Sequence, residues 1–537
     1  MTLRNSAFIT PDRLYGPRPT LYSPHQIARP VPFHKALTNN SIVSQSNTMG
    51  SIGSTPYTHN NGHLDYDVLI IGAGLSGIYT LHQMNTFGLR AKVLEAASGP
   101  GGTWFWNRYP GARFDSESYS YGFSWSQEVL DEWSWSEHFA AQPETLRYCE
   151  FLVDKFNLRP GMQFNTRVKA AHYQEDTKSW LLTDERGQQY SSRWLVTCMG
   201  ILNEYTLPNI PGVHDFAGQA IHTARWPHSP VSFEGKRVGI IGTGATGIQT
   251  IQEVAKTAGH LTVFQRTPNW SAPLNNGPIT TEEMEEIRKQ YPEIFKKCKE
   301  SYSCFIHKSN PASVFSVSEE ERERFWNELY ETRGFQKWLS NYYDIGTDKR
   351  ANALYSEFIA NKIRERVKDP KTAELLIPTS GIKTRDNAYD LDILIYATGF
   401  DAVPGAFAAI DFQGVGGVKL SKRWSEGPRT FLGLFVESFP NMLMVMGPHQ
   451  MFGNFPSEQG VSSAECTREK VEEWTEHVHA CAEGLLANEV DSWMTGVNKN
   501  LAHKQKRIIA RYNGPAPGYR ARADDVAARG FEDLVIT

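Results

Sequence analysis

The chain has 537 residues, 40% apolar and 21% charged, with a formal net charge of −4; that length holds more than one core, and with no basic block it argues against a nucleic-acid partner. No apolar run reaches the roughly 18 residues that cross a bilayer. The six cysteines contain no CxxC pair, which argues against a zinc site or dithiol centre and for reduced thiols in the cytoplasm.

Residues 1–64 are rich in Pro, Ser, Thr and Asn, and Asp12 is their only acidic residue. They are expected to form a disordered extension, although scattered arginines leave mitochondrial targeting open. Tyr66 to Ile71 reads as a strand, followed by a helix to about Gly88 and a strand from Ala91 to Glu95. A Gly/Trp/Tyr-rich loop spans 99–125, a helix is expected near 143–156, and Trp194 to Gly200 reads as a strand ending in a turn. The strand–helix–strand pattern recurs at Arg237–Ile241, through about Ala258, to Leu261–Phe264. From about Thr280 to Pro370 the chain is charged and helix-biased, and Leu391–Tyr396 reads as a buried strand. The expected fold is α/β, with two doubly wound, Rossmann-like nucleotide-binding domains and a helical insertion. The first domain takes residues 65–212, the second takes 213–385 with the insertion at about 275–370, and 386–537 returns to the first.

Two glycine-rich strings follow the first strand of each unit. In the first, Gly72, Gly74 and Gly77 permit a tight turn whose amides reach a pyrophosphate, and Glu95 can accept from ribose hydroxyls. In the second, Gly242, Thr243, Gly244, Thr246 and Gly247 repeat the arrangement, but Arg266 and Thr267 stand where the acid stood. A cation there suits a 2′-phosphate and favours NADPH over NADH; a solvated arginine after a strand is the plainer alternative. Between the two, Gly101–Asp115 packs aromatics, glycines and two charges, Arg113 and Asp115, that are candidates to face the reacting end of a flat ring.

Phe216, Gly218, His222 and Trp226 fit FxGxxxHxxxW, for which composition predicts only about 0.002 chance matches. His222 is read as a hydrogen-bonding linker between domains rather than a general base. Two GxGxxG strings flanking FxGxxxHxxxWP resemble the fingerprint of type I Baeyer–Villiger monooxygenases, from about Asp65 to the C-terminus. The segments GGTWFWNRYPGARFD, Leu207–Gly212 and Tyr396–Asp401 belong to the likeness. The resemblance implies that FAD is reduced by NADPH and that one oxygen atom of O2 enters beside a ketone carbonyl. It implies FAD contacts at Thr103, Trp104, Phe105, Trp106, Phe114, Asp115, Tyr121 and Val168, and NADPH contacts at Arg113, the second glycine turn, Arg266 and Thr267. Asp115 carries the catalytic assignment, orienting a cation at the flavin. Met451, Phe452 and Phe455 are candidates to line the ketone pocket.

The departure from the family lies at Thr379–Ser380. There the chain passes directly from the helical layer to Ser380–Thr384, and the stretch that carries the family's Lys-Arg pair and at least one strand is missing. Lys349-Arg350 and Arg385 are the available substitutes, and the loss of a strand is expected to expose a sheet edge. An uncoupled or inactive FAD-binding homologue is the alternative; a flavin disulfide reductase is disfavoured by the missing CxxC.

Overall fold

The computed structural model of the protein describes residues 63–378, 389–450, 465–492, 495–501, 503–504, 506–529 and 534–535. The first apolar run forms β1 (Tyr66–Ile71), followed by α1 (Leu75–Thr86) and β2 (Ala91–Leu94). A single turn, α2 (Thr103–Trp106), interrupts the aromatic loop, and α3 (Gln142–Lys155) is the expected helix after it. β3 (Met162–Gln163) then leads into β4 (Val168–Gln174), β5 (Ser179–Asp184) and β6 (Gln189–Thr197). The second unit comprises β7 (Gln219–His222), β8 (Arg237–Ile241), α4 (Ala245–Val254) and β9 (His260–Phe264). The insertion is helical as expected, with α5 (Thr281–Glu300), α6 (Glu319–Tyr330), α7 (Lys349–Arg366) and α8 (Pro370–Leu376). β10 (Ile393–Tyr396), β11 (Asp411–Gln413), β12 (Met442–Met444), α9 (Arg468–Ala482) and α10 (Ala516–Ala528) follow.

The first sheet runs β11-β4-β5-β6-β1-β2-β3, with β12 also on β6. Residues of β1 alternate between two cores: Val68 and Ile70 pack with Val93 and Val196, whereas Leu69 and Ile71 pack with Leu94 and Leu195. Covering on both faces is why these strands read as continuous apolar runs. The second sheet is all parallel, in the order β7-β10-β8-β9. Its strand β10 lies beyond residue 385, where the sequence reading ended that domain. The apolar run 393–396 fills the gap between β7 and β8 instead of returning to the first sheet. Among the described residues β9 pairs only with β8, and its Val263 is 40% exposed.

Helix starts divide into two kinds. Thr280, Ser318 and Asp348 cap α5, α6 and α7 with side-chain acceptors, which satisfies amides that a helix cannot satisfy itself. Gly74 and Gly244, at the heads of α1 and α4, supply no capping side chain. The two helices that follow the glycine turns therefore leave their first amides free for an anion.

Candidate active site

Each glycine turn is locked by the same two contacts. At Gly72, φ is +105°, and a Cβ would lie 2.5 Å from the Cys198 carbonyl oxygen; at Gly77 it would lie 1.8 Å from the Gly72 oxygen. In the second turn a Cβ at Gly242 would lie 2.4 Å from the Ala397 oxygen, and one at Gly247 2.3 Å from the Gly242 oxygen. The carbonyls of Cys198 and Ala397 follow β6 and β10, so each turn is wedged between its own strand and a neighbour. Gly74 and Gly244 are different, because a Cβ there meets only ordinary contact or open space.

Glu95 is buried, and its two oxygens accept from the amides of Ala73 (2.6 Å) and Ala97 (2.7 Å). Burial raises its pKa, against those two hydrogen bonds. The carboxylate thus braces the first glycine turn, with lone pairs left for a ribose. Val168 opens β4 with its side chain in the core beside Leu94.

Gly102, just before α2, faces Gly74, and a Cβ at Gly102 would lie 2.8 Å from the Gly74 Cα. Thr103 is exposed at the head of this turn, while Trp104 and Phe105 are buried. Trp104 donates to the Tyr121 hydroxyl at 3.0 Å, Phe114 stacks on Tyr121 at 4.7 Å, and Trp106 meets Phe105 edge-on. The structure thus joins most of the predicted aromatics in one cluster. Arg113 is turned aside: its guanidinium pairs with Glu137 at 2.7 Å and donates to the Phe139 carbonyl.

Asp115 is partly buried, and its Oδ1 accepts from Gln249 on α4 at 3.4 Å. Burial pushes its pKa up to about 6, against the Gln249 hydrogen bond and the nearby Arg113 charge. Gln249 was not singled out in the sequence, since nothing in its string marks it.

At the second turn, the Thr243 hydroxyl donates to Gln265 and the Thr243 carbonyl accepts from Asn269. Thr246 lies beside the Tyr109 hydroxyl. Arg266 is exposed just past β9, with Thr267 beside it, and Arg266 makes no ion pair among the described residues. The 398–401 turn is gripped by the C-terminal region: Asn500 donates to the Thr398 carbonyl, Asn498 to the Phe400 carbonyl, and Lys504 pairs with Asp401. Sequence reading missed this clasp as well. Arg385, Met451, Phe452, Phe455 and the Thr379–Ser380 junction lie outside the described residues.

His222 ties the end of β7 to the turn after β10, its neighbour in the second sheet. Its Nδ1 accepts from the Ala224 amide at 3.1 Å, and its Nε2 meets the Thr398 hydroxyl at 3.3 Å. Burial lowers its pKa to about 4, and the same cause lowers that of His449, which is fully buried between Thr430 and the Ile509 carbonyl. Both rings are neutral in the fold, so the unfolded chain takes up more protons below pH 6.5 and stability falls with pH. Each ring is expected to cost about 2 kcal/mol between pH 7 and pH 5, while Asp115 offsets part of that from pH 6 downward. Urea midpoints of His449→Gln should therefore depend less on pH than those of the parent; parallel pH profiles would refute the neutral ring.

The flavin-binding monooxygenase-like family matches residues 65–403. The chain is 38% identical to the 2-oxo-Delta(3)-4,5,5-trimethylcyclopentenylacetyl-CoA monooxygenase of Pseudomonas putida, over 87% of this chain and 97% of that one. It is 34% identical to the cyclohexanone 1,2-monooxygenase of an Acinetobacter species, over 88% and 97%. The crystal structure of OTEMO with FAD and NADP superposes with a TM-score of 0.83 at 37% identity, covering 88% of this chain and 100% of that one. A closed structure of cyclohexanone monooxygenase gives 0.83 at 36%, covering 88% and 99%.

Proposed function

The chain belongs to the flavin-binding monooxygenase-like family, and from that premise we propose that it binds FAD at the first glycine turn and NADPH at the second. It is a flavoprotein monooxygenase of the Baeyer–Villiger type. A coupled reaction of that type consumes a ketone, O2, NADPH and a proton, and yields an ester or lactone, NADP+ and water. The flavin, when bound, supplies the electron transfer and O2 chemistry; this chain's residues bind, orient and exclude water. The observation that carries the reading is the pair of uncapped helix heads, each in a glycine turn whose first and last glycines admit no Cβ. One is served by an acid, Glu95, and the other by Arg266 and Thr267. No disulfide joins any of the six cysteines, in keeping with a reducing cytoplasm, and among the described residues no helix is long and apolar enough to cross a membrane.

Coenzyme choice tests the second turn. Arg266→Ala is expected to raise the KM for NADPH roughly ten- to a hundredfold, the value of one charge-assisted phosphate contact, and to leave NADH nearly unchanged. Equal losses with both coenzymes would make Arg266 a structural residue.

Oxygen transfer by the chain as it stands is read as uncoupled. Asp115 has Gln249 as its side-chain donor, and no Lys or Arg from another element pairs with it among the described residues. The match to the Pseudomonas putida relative is 530 positions long, whereas 87% of 537 residues is about 467. About 60 positions of that relative thus lack a counterpart here, in keeping with a segment lost at Thr379–Ser380. The β9 edge, unpaired among the described residues, supports the same reading.

A further inference from the structure

We propose that Gln249 is a positioning residue that orients the Asp115 carboxylate and ties it to the helix carrying the second glycine turn; the inference rests on the active-site role proposed above for Asp115. Gln249 lies about one and a half turns into α4, whose head is Gly244. Its side-chain amide makes three contacts with the aromatic loop. The Nε2 donates to the Arg113 carbonyl at 3.1 Å and to Asp115 Oδ1 at 3.4 Å, and the Oε1 accepts from the Tyr109 hydroxyl at 2.8 Å. Chemistry fixes that orientation, because a carbonyl and a carboxylate can only accept, so the NH2 must face them.

The backbone is equally close. A Cβ at Gly111, where φ is +82°, would lie 2.6 Å from the Gln249 carbonyl oxygen. Residues 109–115 therefore rest directly on α4, and a displacement of that helix is passed to Asp115 through one side chain. The other groups near the carboxylate are few. Arg113 is on its own loop with its guanidinium turned to Glu137, and the Tyr109 hydroxyl is committed to Gln249. Glu253, one turn further along α4, lies against Gly111. No cation faces Asp115 from α4, so a neutral amide holds a carboxylate that burial drives toward its neutral form.

The test is a pH titration of the full-length chain labelled with carboxyl-¹³C aspartate, with the Asp115 signal identified by its loss in Asp115→Asn. The parent signal should titrate near pH 6. Gln249→Leu, which removes the donor, should raise the midpoint by about one pH unit. Gln249→Lys, which replaces the amide with a cation, should lower it, and this second variant keeps the result decidable where Leu disturbs folding. Unchanged midpoints in both variants would overturn the assignment. So would a shift of the same sign in both, since that would mark a general loosening of the loop. The carboxyl signal is read with or without flavin, so a protein that binds no FAD refutes the proposed function and leaves this outcome distinct.

Discussion

A Gly74→Val variant is expected to fold and to lose its flavin. The backbone at Gly74 has φ −73°, which any residue adopts, and a Cβ there meets only Gly102, its Cα at 3.5 Å and its N at 4.0 Å. The added methyls instead occupy the head of α1, in front of the amides left free for a pyrophosphate. FAD affinity should fall at least about a hundredfold, the value of losing anion contacts at a helix head, with far-UV circular dichroism unchanged. Gly77→Ala is the contrasting case. Its Cβ would sit 1.8 Å from the Gly72 oxygen, so the turn itself must be rebuilt, at a cost of about 3 kcal/mol or more of stability. Visible absorbance and urea unfolding separate the two. Flavin retained by Gly74→Val would remove the pyrophosphate from the head of α1, and a colourless parent that cannot be reconstituted would sink the cofactor assignment altogether.

That contrast shows what the sequence displays and what it hides. The strands β1, β2, β8 and β9 are buried by helices and neighbours, so their apolar runs announce them, and the glycines of each turn follow at fixed spacing. The β4–β6 meander was largely missed: β4 mixes buried, half-buried and exposed positions without alternation, and in β5 burial alternates from Trp180 to Asp184 but residue type does not, since Leu181 is half-buried and Asp184 buried. Membership of β10 in the second sheet is a long-range pairing that no local pattern carries. The same holds at the site. The aromatic loop was legible as chemistry, yet the ion pair that turns Arg113 toward Glu137 joins residues from separate segments. Gln249 sits at an ordinary helical position and meets Asp115 only because two glycine-built domains press together there. The reading of Val168 came from resemblance, and its side chain belongs to the core.

The chain as it stands is expected to oxidise NADPH with release of H2O2 and little or no ester. Ester formation needs a fixed positive charge beside the reacting atoms, and removing one such group costs on the order of 10²–10³ in rate. Neither element of the Lys349-Arg350 pair supplies it. Lys349 pairs with Glu489 at 2.8 Å, and Arg350, with its side chain 78% exposed, pairs with Asp348 and covers the Phe315 ring. Both sit at the capped head of α7, where they serve the helix and the surface. Inserting between Thr379 and Ser380 the stretch proposed to be missing there, taken from the Pseudomonas putida relative, should raise ester yield per NADPH by at least about a hundredfold. It should also cover the β9 edge, so the insertion variant should aggregate less on heating. Arg350→Ala in that restored chain should leave the yield unchanged. Coupled ester formation by the chain without the insertion would overturn this account. A charge from elsewhere in the chain would then have to reach Asp115, and with Arg350 committed to Asp348, Arg385 would be the first residue to replace.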